Sequence, residues 1–260
     1  MTADPAEPTV HSTAEPTPQF VPRGDNVDIA CRYQPGSADR PTLIFLPGYM
    51  SDMQGGKAQA VARWAAENGN AMLRVDYSGC GESGGAFADG TLSQWRDDVM
   101  LALNHFVRGP VILIGSSMGG WLMLLVAQAL GKQLHAMIGI AAAPDFTAWG
   151  ISDAKKARME TDGVVYDDNP YGPEPTPTYH GFVADSAAHM MLGSEIAIDC
   201  PVHLLHGQCD DDVPWEISLQ LAAALRSENV QIRLVKNGDH RLSLPQDVAM
   251  LIDTVKQLAG

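Results

Sequence analysis

The stretch "VILIGSSMGGWLMLLVAQALG" (111–131) constrains the fold of this chain more than any other. A short apolar run leads into a turn of glycines and serines, and a second apolar run follows that is long enough for a helix. The pattern predicts a strand over 111–117 and a helix over 118–131. Because this helix is apolar nearly all round, we expect it to be the most buried helix of the fold.

Short apolar runs alternate with longer amphipathic runs along the chain from about Pro41. This alternation is typical of an α/β fold, with a mostly parallel twisted sheet and helices on both faces. The segment 27–34 alternates polar and apolar residues instead, which predicts an antiparallel edge strand. Further strands are predicted at 42–48, 71–77, 136–142, 202–207 and 231–237, and helices at 57–69, 91–107, 215–228 and 247–260.

The sequence predicts an N-terminal arm, one α/β domain and a long segment inserted in that domain. Residues 1–22 are rich in proline, threonine and glutamate, so we expect a flexible N-terminal arm, and residues 23–260 are expected to form a single α/β domain. The segment at about 147–199 is too long for an ordinary connection and predicts a lid over the active site, or a surface excursion with no such role. Short helices are expected in it at 152–160 and near 185–193. Its large side chains favour an apolar substrate wall: Tyr166, Tyr171, Tyr179, Met190 and Met191.

The composition excludes several classes of partner. The formal net charge is −14, from 31 acidic and 17 basic residues, and such a surface repels nucleic acids and anionic membranes. The apolar runs are too short to cross a bilayer, and the first residues lack the basic and apolar regions of a secretory signal. The four cysteines have no zinc-site spacing, so we expect reduced thiols, a cytoplasmic location, no metal and no cofactor. The sequence leaves the oligomeric state open between a monomer and a dimer.

The turn at 115–119 has the pattern G-x-S-x-G with Ser117 at its centre. A nucleophile on a sharp strand-to-helix turn needs small residues two positions to either side, and Gly115 and Gly119 meet that need. If Ser116 were central, those positions would be Ile114 and Met118, which are too large. We therefore predict that Ser117 is the nucleophile and that Ser116 is a packing residue.

A serine nucleophile needs a base and an acid, which follow this type of turn in the order acid, then histidine. The only histidine after His206 is His240, so it is the predicted base. Residues 210–212, all aspartates, follow the strand 202–207 and are the candidate acids. The expected oxyanion donors are the backbone N–H groups of Met118 and of Tyr49, with Met50 as the alternative to Tyr49. Asp76, in the glycine-rich loop 76–83, is interpreted as a structural hydrogen-bond acceptor.

Five stretches together resemble the α/β-hydrolase superfamily: "FLPGYMSDMQGGKA", "RVDYSGCGESGG", "GSSMGGWLMLLVA", "HGQCDDDVPWEISLQL" and "GDHRLS". More narrowly, they are similar to the mitochondrial acyl-glucuronide and palmitoyl-thioester hydrolases of animals and their bacterial relatives. The resemblance runs from about Val27 to the C-terminus, is weakest in the lid and is absent in the arm. It implies the α/β-hydrolase fold for this chain.

The resemblance also selects among the candidate site residues. The pattern H-G-x-x-D-x-x-V-P implies Asp210 as the acid, with Asp211 as the rival, while Ser117 and His240 match the nucleophile and the base. Tyr49 and Met118 match the oxyanion donors.

The implied activity is hydrolysis of a carboxylic ester or thioester, on a small-molecule or protein-linked acyl substrate, through an acyl-enzyme. A peptidase or a carbon–carbon bond hydrolase is the enzymatic alternative, because the same residues serve many reactions. A non-catalytic binding module is the alternative from another class.

Overall fold

The computed structural model describes residues 15–170 and 172–260 of the chain. Eight strands form one sheet in the order β1-β2-β4-β3-β5-β6-β9-β10. The first three strands along this order pair antiparallel, and all the others pair parallel. The strands are β1 Gln19–Pro22, β2 Asp28–Gln34, β3 Thr42–Leu46, β4 Met72–Val75, β5 Val111–Ser116, β6 Leu134–Ile140, β9 Val202–Gly207 and β10 Val230–Val235.

Helices cover both faces of this sheet. Residues of α2 (Leu92–Phe106), α3 (Met118–Leu130) and α7 (Glu216–Ala224) pack into one apolar cluster against it. A second cluster contains residues of α1 (Gly56–Asn68) and α8 (Pro245–Ala259). The central strands are apolar on both sides because each side is covered by helices. The predicted α/β fold class is confirmed, and α3 is the helix with the longest run of buried residues among those described.

The predicted strands and helices agree with the structure to within a few residues, apart from α7, which ends at Ala224 rather than at 228. The prediction of an edge strand at 27–34 is wrong. This segment is β2, which pairs antiparallel with β4 on one side and with β1 on the other. The edge position therefore belongs to β1, whose final Pro22 suits an edge strand because proline donates no ladder hydrogen bond.

The predicted flexible arm over residues 1–22 is wrong for its last part. Residues 19–22 are strand β1, with Val21 buried, and Glu15 forms ion pairs with Arg74 and Arg32. Those two arginines face each other across the β2–β4 pair, so the carboxylate meets two cations that are nearly buried. For residues 1–14 the flexible arm stays a prediction, since they lie outside the described residues.

The long segment between β6 and β9, which we call the insertion (residues 144–200), contains short elements. They are α4 Phe146–Trp149, α5 Asp153–Asp162, β7 Val164–Asp167, β8 Thr176–Tyr179 and α6 His180–Ser186. The first predicted helix corresponds to α5, and the helix predicted near 185–193 begins earlier, at His180. Strands β7 and β8 form an antiparallel hairpin that the sequence analysis missed, since Pro177 within β8 argues against a strand.

Polar contacts hold the insertion together and fix it on the helices below it. Asp145 has a left-handed backbone (φ 59°) and accepts the N–H groups of Met191 and Leu192, both at 2.8 Å. The Trp121 indole N–H on α3 donates to the His189 carbonyl at 2.9 Å. The Asp185 carboxylate accepts the Ser93 N–H at the start of α2, at 3.0 Å.

None of the described helices combines the length and apolar content that a membrane span requires.

Candidate active site

Ser117 lies between β5 and α3 with a backbone that side chains rarely adopt, φ 56° and ψ −125°. Three backbone hydrogen bonds hold it there. The Ser117 N–H donates to the Ile140 carbonyl at 2.9 Å, and the Ser117 carbonyl accepts the N–H of Gly120 at 2.8 Å and of Ala143 at 3.1 Å. A strained residue persists only when its surroundings fix it in this way, and such residues cluster at functional sites.

The glycines on either side of Ser117 allow the close approach that the sequence predicts. A Cβ on Gly115 would lie 2.8 Å from the carbonyl carbon of Gly119, and one on Gly119 would lie 2.8 Å from that of Leu46. Both contacts are with backbone and cannot be relieved by a side-chain rotation. Ser116, the last residue of β5, is half-buried beside Ser117 and also borders the adjoining cleft.

The structure brings Ser117, His240 and Asp210 together in one hydrogen-bonded chain. His240, beyond β10, has its Nε2 atom 3.0 Å from the Ser117 Oγ atom and its Nδ1 atom 2.8 Å from the Asp210 Oδ2 atom. A carboxylate only accepts, so Nδ1 carries the proton and Nε2 is left to accept the Ser117 O–H. This is the geometry of an activated serine nucleophile.

Asp210 is the aspartate of the 210–212 run that reaches His240. Its side chain is fully buried, whereas Asp211 and Asp212 are exposed. Its Oδ1 atom accepts the N–H groups of Asp212 at 2.9 Å and Val213 at 2.8 Å. Burial alone would raise the pKa of Asp210, but hydrogen bonds from His206, His240 and the Val213 N–H together hold it well below its usual value. Asp210 is therefore an anion at neutral pH.

His206 contacts the same carboxylate, and the sequence analysis did not predict this contact. Its Nε2 atom lies 3.1 Å from the Asp210 Oδ2 atom, and its Nδ1 atom lies 2.7 Å from the Ser218 Oγ atom on α7. The side chain is fully buried at the end of β9. Its place four residues before Asp210, at the end of an apolar strand, is the signal that could have revealed it.

The loop after β3 passes directly beside Ser117. A Cβ on Gly48 would lie 3.3 Å from the Ser117 Cβ atom, so the following residue, Tyr49, is placed with its backbone near the serine. Met118 is the first residue of α3, where N–H groups have no partner within the helix. Met50, the alternative to Tyr49, has a positive φ of 55° and an exposed side chain.

The Tyr49 side chain joins this loop to the insertion. Its hydroxyl donates to the Pro177 carbonyl on β8 at 3.1 Å. Its ring makes edge contacts with Phe87, Trp95 and Phe182, with ring centroids 5.0, 6.0 and 5.2 Å away. Burial raises the pKa of the Tyr49 hydroxyl, so it remains a hydrogen-bond donor throughout the neutral range.

Asp76 supports the same loop from below, as the sequence predicts. Its two carboxylate oxygens accept the Met53 N–H at 2.7 Å and the Glu82 N–H at 2.8 Å. A Cβ on Gly81 would overlap with this carboxylate. The aspartate therefore ties the loop 76–83 to the loop that carries Tyr49, which confirms its structural role.

Ser117 opens into a cleft of about 760 Å³, bordered on one side by the insertion. The prediction that the large insertion side chains form an apolar wall is wrong for the four that are described. Met191 is buried, Tyr166 and Met190 are exposed, and Tyr179 packs against Phe87. Tyr171 lies outside the described residues.

Different side chains of the insertion form the wall of that cleft. Its hairpin contributes polar residues and one proline: Asp167, Asp168, Asn169, Pro170, Thr176 and Thr178. The larger apolar side chains of the lining include Met50, Phe146, Trp149, Val213 and Val248. The lining of the cleft is thus apolar in part and polar in part, and the hairpin contributes polar residues to it.

One group of side chains in the described part of the chain has the spacing of a metal site. Ligand atoms of Asp210, Asp212 and His240 lie within 4.8 Å of one another. Both Asp210 oxygens and the His240 Nδ1 atom already take part in the hydrogen bonds given above. Asp210 and His240 are accounted for by the hydrogen-bonded chain that ends on Ser117, and we derive no metal chemistry from this group.

The fold and this site define a class of protein. Residues 37–171 match the Hydrolase_4 family model, whose description is serine aminopeptidase, S33. The match covers more than half of the chain, and the chain belongs to this family of α/β-hydrolases. The predicted fold and hydrolase class are confirmed.

Within the family, the chain is similar to the mitochondrial palmitoyl-protein thioesterase ABHD10 of Mus musculus. The two are 38% identical over 247 residues, which cover 92% of this chain and 81% of the relative. The crystal structure of a putative hydrolase from Agrobacterium vitis S4 superposes with a TM-score of 0.89 at 38% identity, covering 95% of this chain and 99% of that one. Mouse alpha/beta hydrolase domain-containing protein 10 superposes with a TM-score of 0.86 at 38% identity, covering 93% and 98%.

Proposed function

We propose that this protein is a serine hydrolase that cleaves carboxylic esters or thioesters of acyl substrates. The observation that carries the proposal is the continuous chain from Ser117 through His240 to the buried Asp210, with contacts of 3.0 and 2.8 Å. It lies on a strained turn that opens into a cleft large enough for a small-molecule ligand. The similarity to palmitoyl-protein thioesterases supports the same reaction class.

In the first half of the reaction, His240 Nε2 takes the Ser117 proton as Oγ attacks the acyl carbon. Asp210 holds the imidazole with Nδ1 protonated and stabilises the imidazolium that forms. The backbone N–H groups of Tyr49 and Met118 donate to the oxyanion of the tetrahedral intermediate. The intermediate then expels the alcohol or thiol, which takes the proton from His240, and leaves an acyl ester on Ser117.

In the second half, a water molecule gives its proton to His240 and attacks the acyl ester. The carboxylic acid leaves as the Ser117 oxygen recovers the proton. Every proton in both halves passes through His240 Nε2, so this sequence requires no metal and no cofactor. We also propose that the predicted domain at 23–260, extended to include β1 at Gln19–Pro22, is a single domain in which the insertion acts as a lid, because its hairpin borders the cleft.

The substrate class follows from the lining of the cleft and from the relatives. The apolar side chains of the cleft lining, among them Phe146 and Trp149, suit an acyl chain, and the polar hairpin residues suit a more polar leaving group. Acyl thioesters of proteins and small acyl esters both fit this division. A cytoplasmic location stays a prediction, and the mitochondrial location in the names of the relatives does not decide it.

A peptidase is the second candidate, because the matched family model is described as a serine aminopeptidase. A free substrate amine would find carboxylates along the cleft, where Asp52, Asp167, Asp168 and Asp212 contribute to the lining. Hydrolysis of amino-acyl amides without hydrolysis of matching esters would favour this candidate over the esterase.

The test compares S117A with S116A, a matched serine one residue away. We expect S117A to lose p-nitrophenyl acyl ester hydrolysis by about 10⁴-fold or more, because the nucleophile is gone, while S116A keeps most of it. A fluorophosphonate probe should label the wild type and S116A at Ser117, as read by mass spectrometry, and should leave S117A unlabelled. Full activity in S117A, or an unlabelled and inactive wild type, would overturn the proposal.

A further inference from the structure

The Asp210 carboxylate is held by two imidazoles through the same oxygen. The Oδ2 atom lies 2.8 Å from His240 Nδ1 and 3.1 Å from His206 Nε2. We propose that His206 is a positioning residue, which fixes the Asp210 carboxylate and thereby limits the basicity of His240. This inference rests on the function proposed above.

The contacts of His206 define which of its nitrogens carries the proton. Its Nε2 atom faces two acceptors, the Asp210 Oδ2 atom and the Val213 carbonyl at 3.0 Å. A bare nitrogen there would meet two acceptors with no hydrogen between them, so Nε2 carries the proton. The Nδ1 atom of the neutral ring is then an acceptor, and the Ser218 hydroxyl donates to it at 2.7 Å. Every polar atom of this fully buried ring has a partner.

These contacts complete the set of donors around the Asp210 carboxylate. The Oδ1 atom accepts two backbone N–H groups, and the Oδ2 atom accepts two imidazole N–H groups. With His206 held by Ser218 on α7, the carboxylate is fixed from the strand, the following loop and the helix. The position of Oδ2, and with it the direction in which His240 points at Ser117, depends on this arrangement.

The second imidazole also has an electrostatic effect on the first. A donor to the carboxylate stabilises its negative charge, so less of that charge is available to stabilise the His240 imidazolium. Removing the His206 donor should therefore strengthen the interaction between the Asp210 carboxylate and the imidazolium, and the acidic limb of the kcat/KM profile should move to higher pH. The other charged groups near His240 are Asp212, the adjacent Asp239 and Arg241, and Lys57, whose ammonium donates to the Arg241 carbonyl. They are unchanged when only His206 is replaced.

The test measures kcat/KM against pH on the full chain for the wild type, H206L, H206Q and S218A. In H206L we expect kcat to fall about 10- to 100-fold with KM nearly unchanged, because a hydrogen bond to a charged group is lost. The acidic limb of the profile should move up by about half a pH unit or more. H206Q restores an amide donor and should recover part of both effects, and S218A, which keeps the imidazole but removes the hydroxyl that holds it, should show a smaller change in the same direction as H206L.

An acidic limb in H206L at the wild-type pH would overturn the inference, even if kcat falls, because a merely structural role would give that result. Should H206L fail to fold, the ring nitrogens of wild-type His206 are observed directly by ¹⁵N NMR. A proton on Nδ1 instead of Nε2 would overturn the inference, and a proton on Nε2 supports it. Activity that survives in S117A would overturn the proposed function itself, so the two failures are distinguishable.

Discussion

The strain at Ser117 predicts that two inactive variants should differ in stability in a defined direction. S117A keeps a Cβ atom on a backbone with φ 56° and ψ −125°, whereas S117G removes it. Both lose the hydrogen bond to His240, so that loss cancels in the comparison. We expect S117G to be more stable than S117A, although glycine ordinarily destabilises a folded protein.

The magnitude follows from two opposing terms. A non-glycine residue in such a region costs about 1–3 kcal/mol, which S117G recovers. Glycine costs about 0.4–1 kcal/mol in return, because the unfolded chain gains freedom. The net gain is centred near 1 kcal/mol, which for a domain of this size raises Tm by about 2–4 °C.

The assay is thermal or urea unfolding of both variants, with S116A and S116G as the control pair. Ser116 lies within β5, paired in register with Ile140 on β6, so its backbone is extended and a glycine there has no strain to relieve. The control pair should therefore show the opposite sign, with S116G less stable than S116A by about 0.5–1 kcal/mol. A Tm for S117G at or below that of S117A would refute the reasoning that the turn stores strain.

Three further predictions concern the insertion, the thiols and the charge of Lys57. D145A removes the carboxylate that accepts the N–H groups of Met191 and Leu192, so amide exchange at both residues should become about 10- to 100-fold faster. Hydrogen-exchange mass spectrometry measures this, and D145N should give an intermediate rate. Unchanged exchange in D145A would contradict the prediction. Ellman's reagent should react quickly with Cys209 alone, since it is the exposed one of four free cysteines and burial raises the pKa of Cys31 and Cys80 to about 12; C209S should remove the fast phase. Burial lowers the pKa of Lys57 from 10.5 to about 8. Between those pH values the unfolded chain still binds the proton that the folded protein has released, so the free energy of unfolding should rise with pH in the wild type relative to K57M. Urea unfolding in which both proteins respond equally to pH would contradict this.

The central sheet could be predicted because its strands are apolar on both faces and separated by amphipathic helices. The edge could not. Residues 19–22 have only one buried side chain, Val21, and their neighbours have the composition of a disordered segment. What orders them is pairing with β2 and the ion pairs of Glu15 with Arg74 and Arg32, which are contacts over long sequence distance. Local patterns contain no information on such contacts.

The positions of Ser117 and His240 could be predicted because a sharp turn and a lone downstream histidine leave few alternatives, whereas the strand end left three aspartates open and the family resemblance selected Asp210 among them. The wall of the cleft could not be predicted from the same kind of reasoning. Tyr166 and Met191 suggested an apolar wall by composition. In the structure the hairpin of β7 and β8 exposes the Tyr166 side chain to solvent, and Met191 is buried, with its backbone N–H donating to the Asp145 carboxylate. Which side chain faces the cleft depends on the register of this hairpin. The sequence does not predict the hairpin, because Pro177 argues against a strand at β8.

Tyr49 shows why the insertion and the reaction should not be treated as separate modules. Its backbone lies beside Ser117 as the proposed oxyanion donor, while its hydroxyl binds the Pro177 carbonyl and its ring packs against Phe182 of α6. The insertion therefore holds the side chain of the residue whose backbone N–H we propose as an oxyanion donor. The ring is confined on its other sides by Phe87 and Trp95, so a change in the hairpin that shifts the Pro177 carbonyl would disturb the packing around Tyr49. In the proposed mechanism such a change should lower kcat through the oxyanion as well as raise KM through the cleft, and the binding wall would then be coupled to the catalytic loop.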